Sequence, residues 1–389
     1  MKRAVIPIML TAALILLFNG TVKAANEPYK VGAIFSVTGP ASWLGDPEKK
    51  TVEMLVEAIN KAGGINGHPL EVIIEDDEGN PDKAKAAAQK LILKDKVTVI
   101  IGPSTSGCSF TAKGEANDNE VPLISCAAAE KIVVPVEENM WIFKVPQTDA
   151  DCARRIFECM KDLGLKKAGL LTDKEGFGMA GREQLLKFAK EYDIEVAGDE
   201  TFAKGDSDLS VQLQKLKGAK VDAVIAWTIL PVQADIAKQM KGIEFKAQLF
   251  QSHGYGNIKY VEQGGEAANG TIFPAGRLLV ADLLDDDHPQ KNVLVSYKKD
   301  YESKYGEAVS TFGGHAYDAL MLVVEALKAV GPDSAKIRDN LETRNGKNAF
   351  IGTAGIFNIT DKDHCGLDKN AFELITVKDG KFVPFKKEK

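Results

Sequence analysis

Short β-branched runs alternate with longer stretches of helical period along most of this chain, and the alternation comes as two series. In the first, residues 31–35, 70–75, 97–101 and 121–125 read as strands. A helix is predicted from Asp46-Pro47, with Asp at the cap and Pro in the first turn, to the stop at Gly63-Gly64. It lines Val52, Leu55, Ile59 and Ala62 along one face. Asn80-Pro81 opens a second helix through about Leu93, and a small-residue loop after Ile101 leads into a third. In the second series, 166–172, 194–202, 221–227 and 247–251 read as strands, with helices near 149–163, 179–192, 207–217 and 232–241. Strands apolar on both faces and separated by helices imply a parallel sheet with right-handed crossovers. Two such series imply an α/β protein of two doubly wound parallel-sheet lobes.

After Thr271 the pattern changes. Residues 291–305 and 316–330 read as helices, the second with Leu320, Val323, Val324 and Leu327 inward. A short helix is expected over 335–341, and a terminal hairpin over 372–385 turning at Asp379-Gly380. At the other end, Lys2 and Arg3 precede an apolar run, 4–18, and small residues around Ala24-Ala25. That is the grammar of a cleaved secretory signal, 1–24. The run is shorter than the roughly 20 residues of a membrane span. The formal charge is −6, and loss of three cations with the signal makes it −9. An acidic chain without a basic cluster argues against nucleic-acid partners. Five cysteines leave at least one free thiol. Cys152 and Cys159, seven apart on one helix, would lie about 10 Å apart by helical rise and cannot bond. Cys108 and Cys126 follow neighbouring strands and form the one pair open to suspicion.

Five segments then stand in a telling order: Val31-Gly-Ala-Ile-Phe-Ser-Val-Thr-Gly-Pro40, Ile59-Asn-Lys-Ala-Gly-Gly-Ile-Asn-Gly67, Glu75-Asp-Asp77 with Pro81, Val99-Ile-Ile-Gly-Pro-Ser-Thr-Ser-Gly107, and Val121-Pro-Leu-Ile-Ser125. Singly each is weak, but together the mature chain resembles the leucine/isoleucine/valine-binding family of ABC-importer receptors, type I periplasmic binding proteins. The resemblance implies two lobes joined by a three-crossing hinge, with crossings near Val145-Pro146, Ala275-Gly276 and 352–357. The expected division is 28–145 and 276–352 in the first lobe, and 146–275 and 353–389 in the second. It implies a periplasmic location, a small carboxylate ligand and an ABC permease in the inner membrane. A monomer is expected.

In doubly wound sheets ligands bind beyond the carboxyl ends of strands. There lies Gly102-Pro-Ser104-Thr-Ser106-Gly107, opening a helix whose free N–H groups and positive dipole end suit a carboxylate. Ser104 and Ser106 are candidates, and Ser106 matches the family's carboxylate-binding serine; on the residues alone it reads equally as a helix cap. Trp43, in the loop after the first strand, offers an aromatic wall. Ala127, Ala128 and Ala129 follow the fourth strand, where small residues let backbone groups approach a ligand. From the second lobe come Phe177, Trp227, Thr228, His253 and Tyr255, each beyond a strand end; Phe177 and Trp227 read equally as core. By resemblance, the residues that hold an amino acid's ammonium in branched-chain binders fall here on Ala129 and His253, neither an anion. The expected ligand is therefore an apolar or aromatic acid without an α-amino group, a branched-chain amino acid being the alternative.

Signs of catalysis or cofactors are poor. Ser104 and Ser106 lack the second glycine of a nucleophile elbow, and there is no Walker loop or HExxH. Gly32 and Gly39 lack dinucleotide spacing. Asp285-Asp-Asp-His288 reads as a solvated loop rather than a metal site. No enzyme activity, cofactor or metal is expected. A sensory receptor of the same fold fits the sequence equally well.

Overall fold

In the computed structural model residues 26–387 are described; the expected signal, 1–24, lies outside them. The first sheet runs β2-β1-β3-β4-β5, all parallel, from β1 (Tyr29–Phe35), β2 (Leu70–Asp76), β3 (Ile100–Ile101), β4 (Leu123–Ser125) and β5 (Ile142–Lys144). The second runs β14-β13-β10-β9-β8-β6-β7. It takes β6 (Lys167–Asp173), β7 (Glu195–Phe202), β8 (Ala223–Trp227), β9 (Gln248–Gln251) and β10 (Ile272–Ala275) in parallel. A small hairpin, β11 (Phe350–Ile351) with β12 (Ile356–Phe357), stands apart. The terminal hairpin β13 (Glu373–Lys378) and β14 (Lys381–Pro384) then joins β10 antiparallel. It turns where expected, at Asp379 and Gly380, both at positive φ.

Helices cover both faces of each sheet: α1 (Ser42–Lys61), α2 (Pro81–Gln89) and α3 (Ser106–Asp118) in the first lobe, then α4 (Asp149–Asp162), α5 (Gly176–Phe188), α6 (Ser210–Gly218), α7 (Ile236–Gly242) and α8 (Ile258–Gly264) in the second. After β10 the chain returns through α9 (Lys291–Tyr305), α10 (Thr311–Val330) and α11 (Ser334–Leu341) to the first lobe. Leu320, Val323, Val324 and Leu327 of α10 pack in one core with Val31, Ala33 and Phe35 of β1. Burial of each such side chain is worth about 1.5–3 kcal/mol. Along the third crossing Phe357, Ile359, Cys365, Leu367 and Ala371 pack in the first-lobe core, and Phe372, Ile375 and Val377 in the second. All five cysteines are free and buried, Cys108 and Cys126 included.

Local signals succeeded where they were complete. The Asn80 side chain accepts from Asp82 N at 2.9 Å and Lys83 N at 3.2 Å, with Pro81 in the first turn. Two expected helix starts are corrected. Helix α1 begins at Ser42, not Asp46, and Pro47 lies inside it. Gly45 sits so tightly on Ser36 that a Cβ would lie 2.2 Å from its carbonyl carbon, which draws the helix up against the end of β1. Pro47 has no N–H, so the Trp43 carbonyl lacks its helical partner; Asn257 Nδ2, from the other lobe, donates to it at 2.9 Å. Helix α10 begins at Thr311, five residues before the expected start. Ser310 caps it, accepting from Gly313 N at 3.3 Å.

The hinge is tied by buried amides and one carboxylate. Asp318 of α10 accepts from Thr353 N (2.6 Å), Ala354 N (2.8 Å) and Thr353 Oγ1 (3.1 Å). Gln147 Nε2 donates to the Ala354 carbonyl at 2.7 Å, and Gln290 Nε2 to that of Gly352 at 2.8 Å. Three passages of the chain are thus joined at one place.

Candidate ligand-binding site

The carboxyl ends of β1, β3 and β4 face those of β6, β8 and β9 across a cleft. Between them lies a small pocket with a cavity volume of about 20 Å³ in this closed form. The first lobe contributes Leu44, Ser104, Thr105, Ser106, Cys126, Ala127, Ala128, Phe312 and His315. Phe177, Ile229, His253 and Gly254 come from the second, and Pro146 from the first crossing.

Six of the sequence candidates meet here: Ser104, Ser106, Ala127, Ala128, Phe177 and His253. Their roles differ. The Ser104 hydroxyl is held by Glu48 and accepts from Ser36 N at 2.9 Å, so it braces the wall. Ser106 is the first residue of α3 and its cap is Thr105, whose Oγ1 accepts from Cys108 N at 3.4 Å. Ser106 Oγ accepts from Ala129 N at 3.3 Å. The first-turn amides of a helix have no intrahelical acceptor; in α3 that of Cys108 is met by Thr105, and Ser106, the first residue, lines the pocket.

The other five candidates stand outside the lining. Ala129 is fully buried among the residues packed on α3. Trp227 lies behind Phe177 and His253, its ring pressed on Gly181, where a Cβ would be 2.1 Å away. Thr228 is buried and accepts from Leu230 N at 3.0 Å. Tyr255 stacks on Tyr260 and meets Phe273 edge-on. Trp43, in the first turn of α1, packs edge-on against Tyr260 at 5.0 Å, at the seam between lobes. A large ring after a strand end is as useful for sealing a core as for lining a pocket, and sequence does not separate the two. Phe312 and His315 escaped notice because Gly313 and Gly314 weaken the helical signal around them.

No acidic residue lines the pocket. Two buried acids stand behind the lining, and burial raises each: Glu48, which holds Ser104, well above the usual carboxylate range, and Asp149 to about 6. A cation lies close by. Lys144 of β5 is fully buried; its ammonium donates to the Pro146 carbonyl and reaches Cys365 Sγ at 3.8 Å. Among the described residues no carboxylate forms an ion pair with it. His253 and His315 are both neutral at pH 7. Burial chiefly, with the Lys144 charge, holds His253 well below the ordinary imidazole range and His315 at about 3. The lining itself therefore carries no carboxylate, and the charges nearest at hand, Lys144 and Asp149, act on each other from behind it.

The lobes are closed on one another. Besides Asn257 on Trp43, Lys204 Nζ donates to the Gly79 carbonyl at 3.0 Å, Glu130 N to Asp149 Oδ1 at 3.0 Å, and Thr311 N to the Gly256 carbonyl at 3.0 Å. Leu44, Ala128 and Phe312 of the first lobe sit in the second lobe's apolar core. Gly107, in the first turn of α3, abuts Gly176, which begins α5; a Cβ on Gly176 would fall 2.7 Å from the Gly107 Cα.

Two doubly wound lobes, a three-crossing hinge and a pocket at facing strand ends define a bilobal ligand-binding protein. Residues 28–380 match the model of a family described as periplasmic binding protein. The chain belongs to that family, one of solute-binding proteins and not of enzymes. It is 27% identical to the leucine-, isoleucine-, valine-, threonine- and alanine-binding protein of Pseudomonas aeruginosa, over 82% of this chain and 83% of that one. Among solved structures it is similar to an extracellular ligand-binding receptor from Rhodopseudomonas palustris, with 29% identity, a TM-score of 0.84, and 92% and 99% of the two chains covered. It is also similar to the branched-chain amino acid transporter substrate-binding protein of Streptococcus pneumoniae in complex with isoleucine, with 26% identity, a TM-score of 0.80, and 92% and 98% covered.

Proposed function

We propose that this chain is the periplasmic receptor of an ABC importer, exported through a cleaved signal at 1–24 and acting as a monomer. It captures a carboxylate-bearing apolar or aromatic acid and presents it, lobes closed, to a permease in the inner membrane. One observation carries the choice of ligand: the pocket is lined by the start of α3 and by no acidic side chain, and the buried Lys144 stands behind it, its ammonium on the carbonyl of the lining residue Pro146. An anion suits that field. A zwitterion would bring an ammonium with no carboxylate in the lining to meet it, at a cost of several kcal/mol. Leu44, Phe177, Ile229 and Phe312 supply apolar walls.

The second reading, a branched-chain amino acid, is favoured by the ligand named for the Streptococcus pneumoniae structure. Isothermal titration of the mature protein separates the two. Micromolar binding of benzoate or phenylacetate, with leucine silent, is expected; the reverse pattern refutes the proposal. Ser106→Ala should weaken the bound acid by about 1.5–3 kcal/mol, the worth of a hydrogen bond to a charged group.

A further inference from the structure

Two polar side chains in the pocket have no partner within the protein. His253, in the turn after β9, is 6% exposed, and both its ring nitrogens are buried and unpaired. His315, on α10, is 7% exposed, and its Nδ1 is buried and unpaired. They come from opposite lobes and line the same pocket. A buried polar atom left unpaired bears its full desolvation cost, and native structures contain few of them. Two facing one ligand pocket mark where a ligand's polar group belongs.

The surroundings narrow the chemistry of that group. His253 is walled edge-on by Phe177, Trp227 and Phe372, with ring centroids at 5.4, 5.7 and 5.6 Å. The rings fix its plane, and none of them offers an acceptor of ordinary strength. Both imidazoles are neutral, so each brings one N–H donor and one lone-pair acceptor. A methyl group would leave both unmet. An ammonium only donates, and adds positive charge to a field that already holds Lys144. A second carboxylate only accepts, and leaves the imidazole lone pairs unmet. A hydroxyl gives one hydrogen, takes one, and adds no charge.

We infer that His253 and His315 together hold a hydroxyl group of the ligand, so that the pocket selects a hydroxylated acid: carboxylate against the start of α3, hydroxyl between the two imidazoles. The inference rests on the carboxylate reading above and adds the group that sets specificity within that class. A site built to bond a hydroxyl rejects the analogue without it, because its own buried groups are then left unpaired.

The test is titration of the mature protein with matched pairs, benzoate against 3- and 4-hydroxybenzoate and phenylacetate against 4-hydroxyphenylacetate. The wild type should prefer a hydroxylated member by roughly tenfold or more. His315→Phe and His253→Phe should bring that preference to within about threefold while the plain acid still binds. His315→Gln, which keeps a donor and an acceptor, should retain part of it. Equal binding within every pair overturns the inference and leaves the carboxylate reading standing. So does a preference that survives in both Phe variants. Leucine binding with every acid silent, or silence throughout, overturns both. Should a Phe variant fail to fold by circular dichroism, the wild-type ratio and the Gln variant decide.

Discussion

His315 and Asp318 stand three residues apart on α10, both more than nine-tenths buried, and the protein treats them in opposite ways. Both Asp318 oxygens are satisfied, by two amides and a hydroxyl from the third crossing of the hinge. His315 faces the cleft with Nδ1 unpaired. One helix thus carries a polar group that completes the fold and, a turn away, one that the fold leaves incomplete. Residue type and burial do not tell these apart; the inventory of partners does. A buried group fully bonded by protein organises the hinge, whereas one left open at a pocket is a place for ligand.

The comparison breaks if cleft and hinge cannot be disturbed separately. The largest separable effect is expected at the rim. Gly176→Ala places a methyl group where Gly107 must lie in the closed form. Ligand affinity should fall by roughly 100-fold or more, because overpacking opposes closure and not the lobes themselves. The unliganded melting temperature should stay within about 2 °C. Titration and calorimetry on the same variant check both, and a parallel loss of stability would undo the distinction.

Acid titration sharpens the contrast between the two residues. Burial holds His315 at about 3, below its unfolded value. Its contribution to stability is complete above the unfolded pKa of about 6.5 and is lost as pH falls toward 3. Burial raises Asp318 to about 7, against its hydrogen bonds from Thr353 and Ala354. Its contribution is complete below its unfolded value of about 4 and is lost as pH rises through 7. Between pH 8 and pH 5, then, His315 costs the unliganded protein about 2 kcal/mol while Asp318 adds a similar amount. Urea unfolding at the two pH values should show His315→Phe gaining on wild type in acid and Asp318→Asn falling behind. Slopes of the same sign would contradict the assignment of either group.

The smallest effect is expected at the seam. Asn257→Ala removes the donor that meets the Trp43 carbonyl freed by Pro47. Affinity should drop by roughly fivefold, about 1 kcal/mol for one neutral hydrogen bond. Faster release should account for it, since the bond forms as the lobes close. An unchanged dissociation rate in stopped-flow would mean that this contact does not hold the closed form.

Much of the architecture was legible because it is written locally. Helix α2 starts where Asn80 and Pro81 say it should, and α9 spans the expected residues, 291–305. Strand β5 was missed: three residues ending in a lysine do not look like the interior of a sheet, yet Lys144 is fully buried there. Helix α8 and strand β10 were missed as well, the latter carrying Pro274. Asp46-Pro47 misled because a complete local cap signal was overridden by the contact of Gly45 with Ser36.

The sequence by itself determined the two series of strands and helices, the small-residue loops at their ends and the order of motifs shared with the family. Each of these depends on neighbours a few residues away, or on chain order. Only the tertiary structure decided which candidates line the pocket between the lobes. Ser104 lines it with its hydroxyl given to Glu48, 56 residues distant, while Trp227 was set behind Phe177. His315, 62 positions beyond His253, was brought round to share its pocket. Whether a buried polar atom has a partner depends on atoms that only folding brings near, so the unpaired imidazoles became visible only once the lobes were closed.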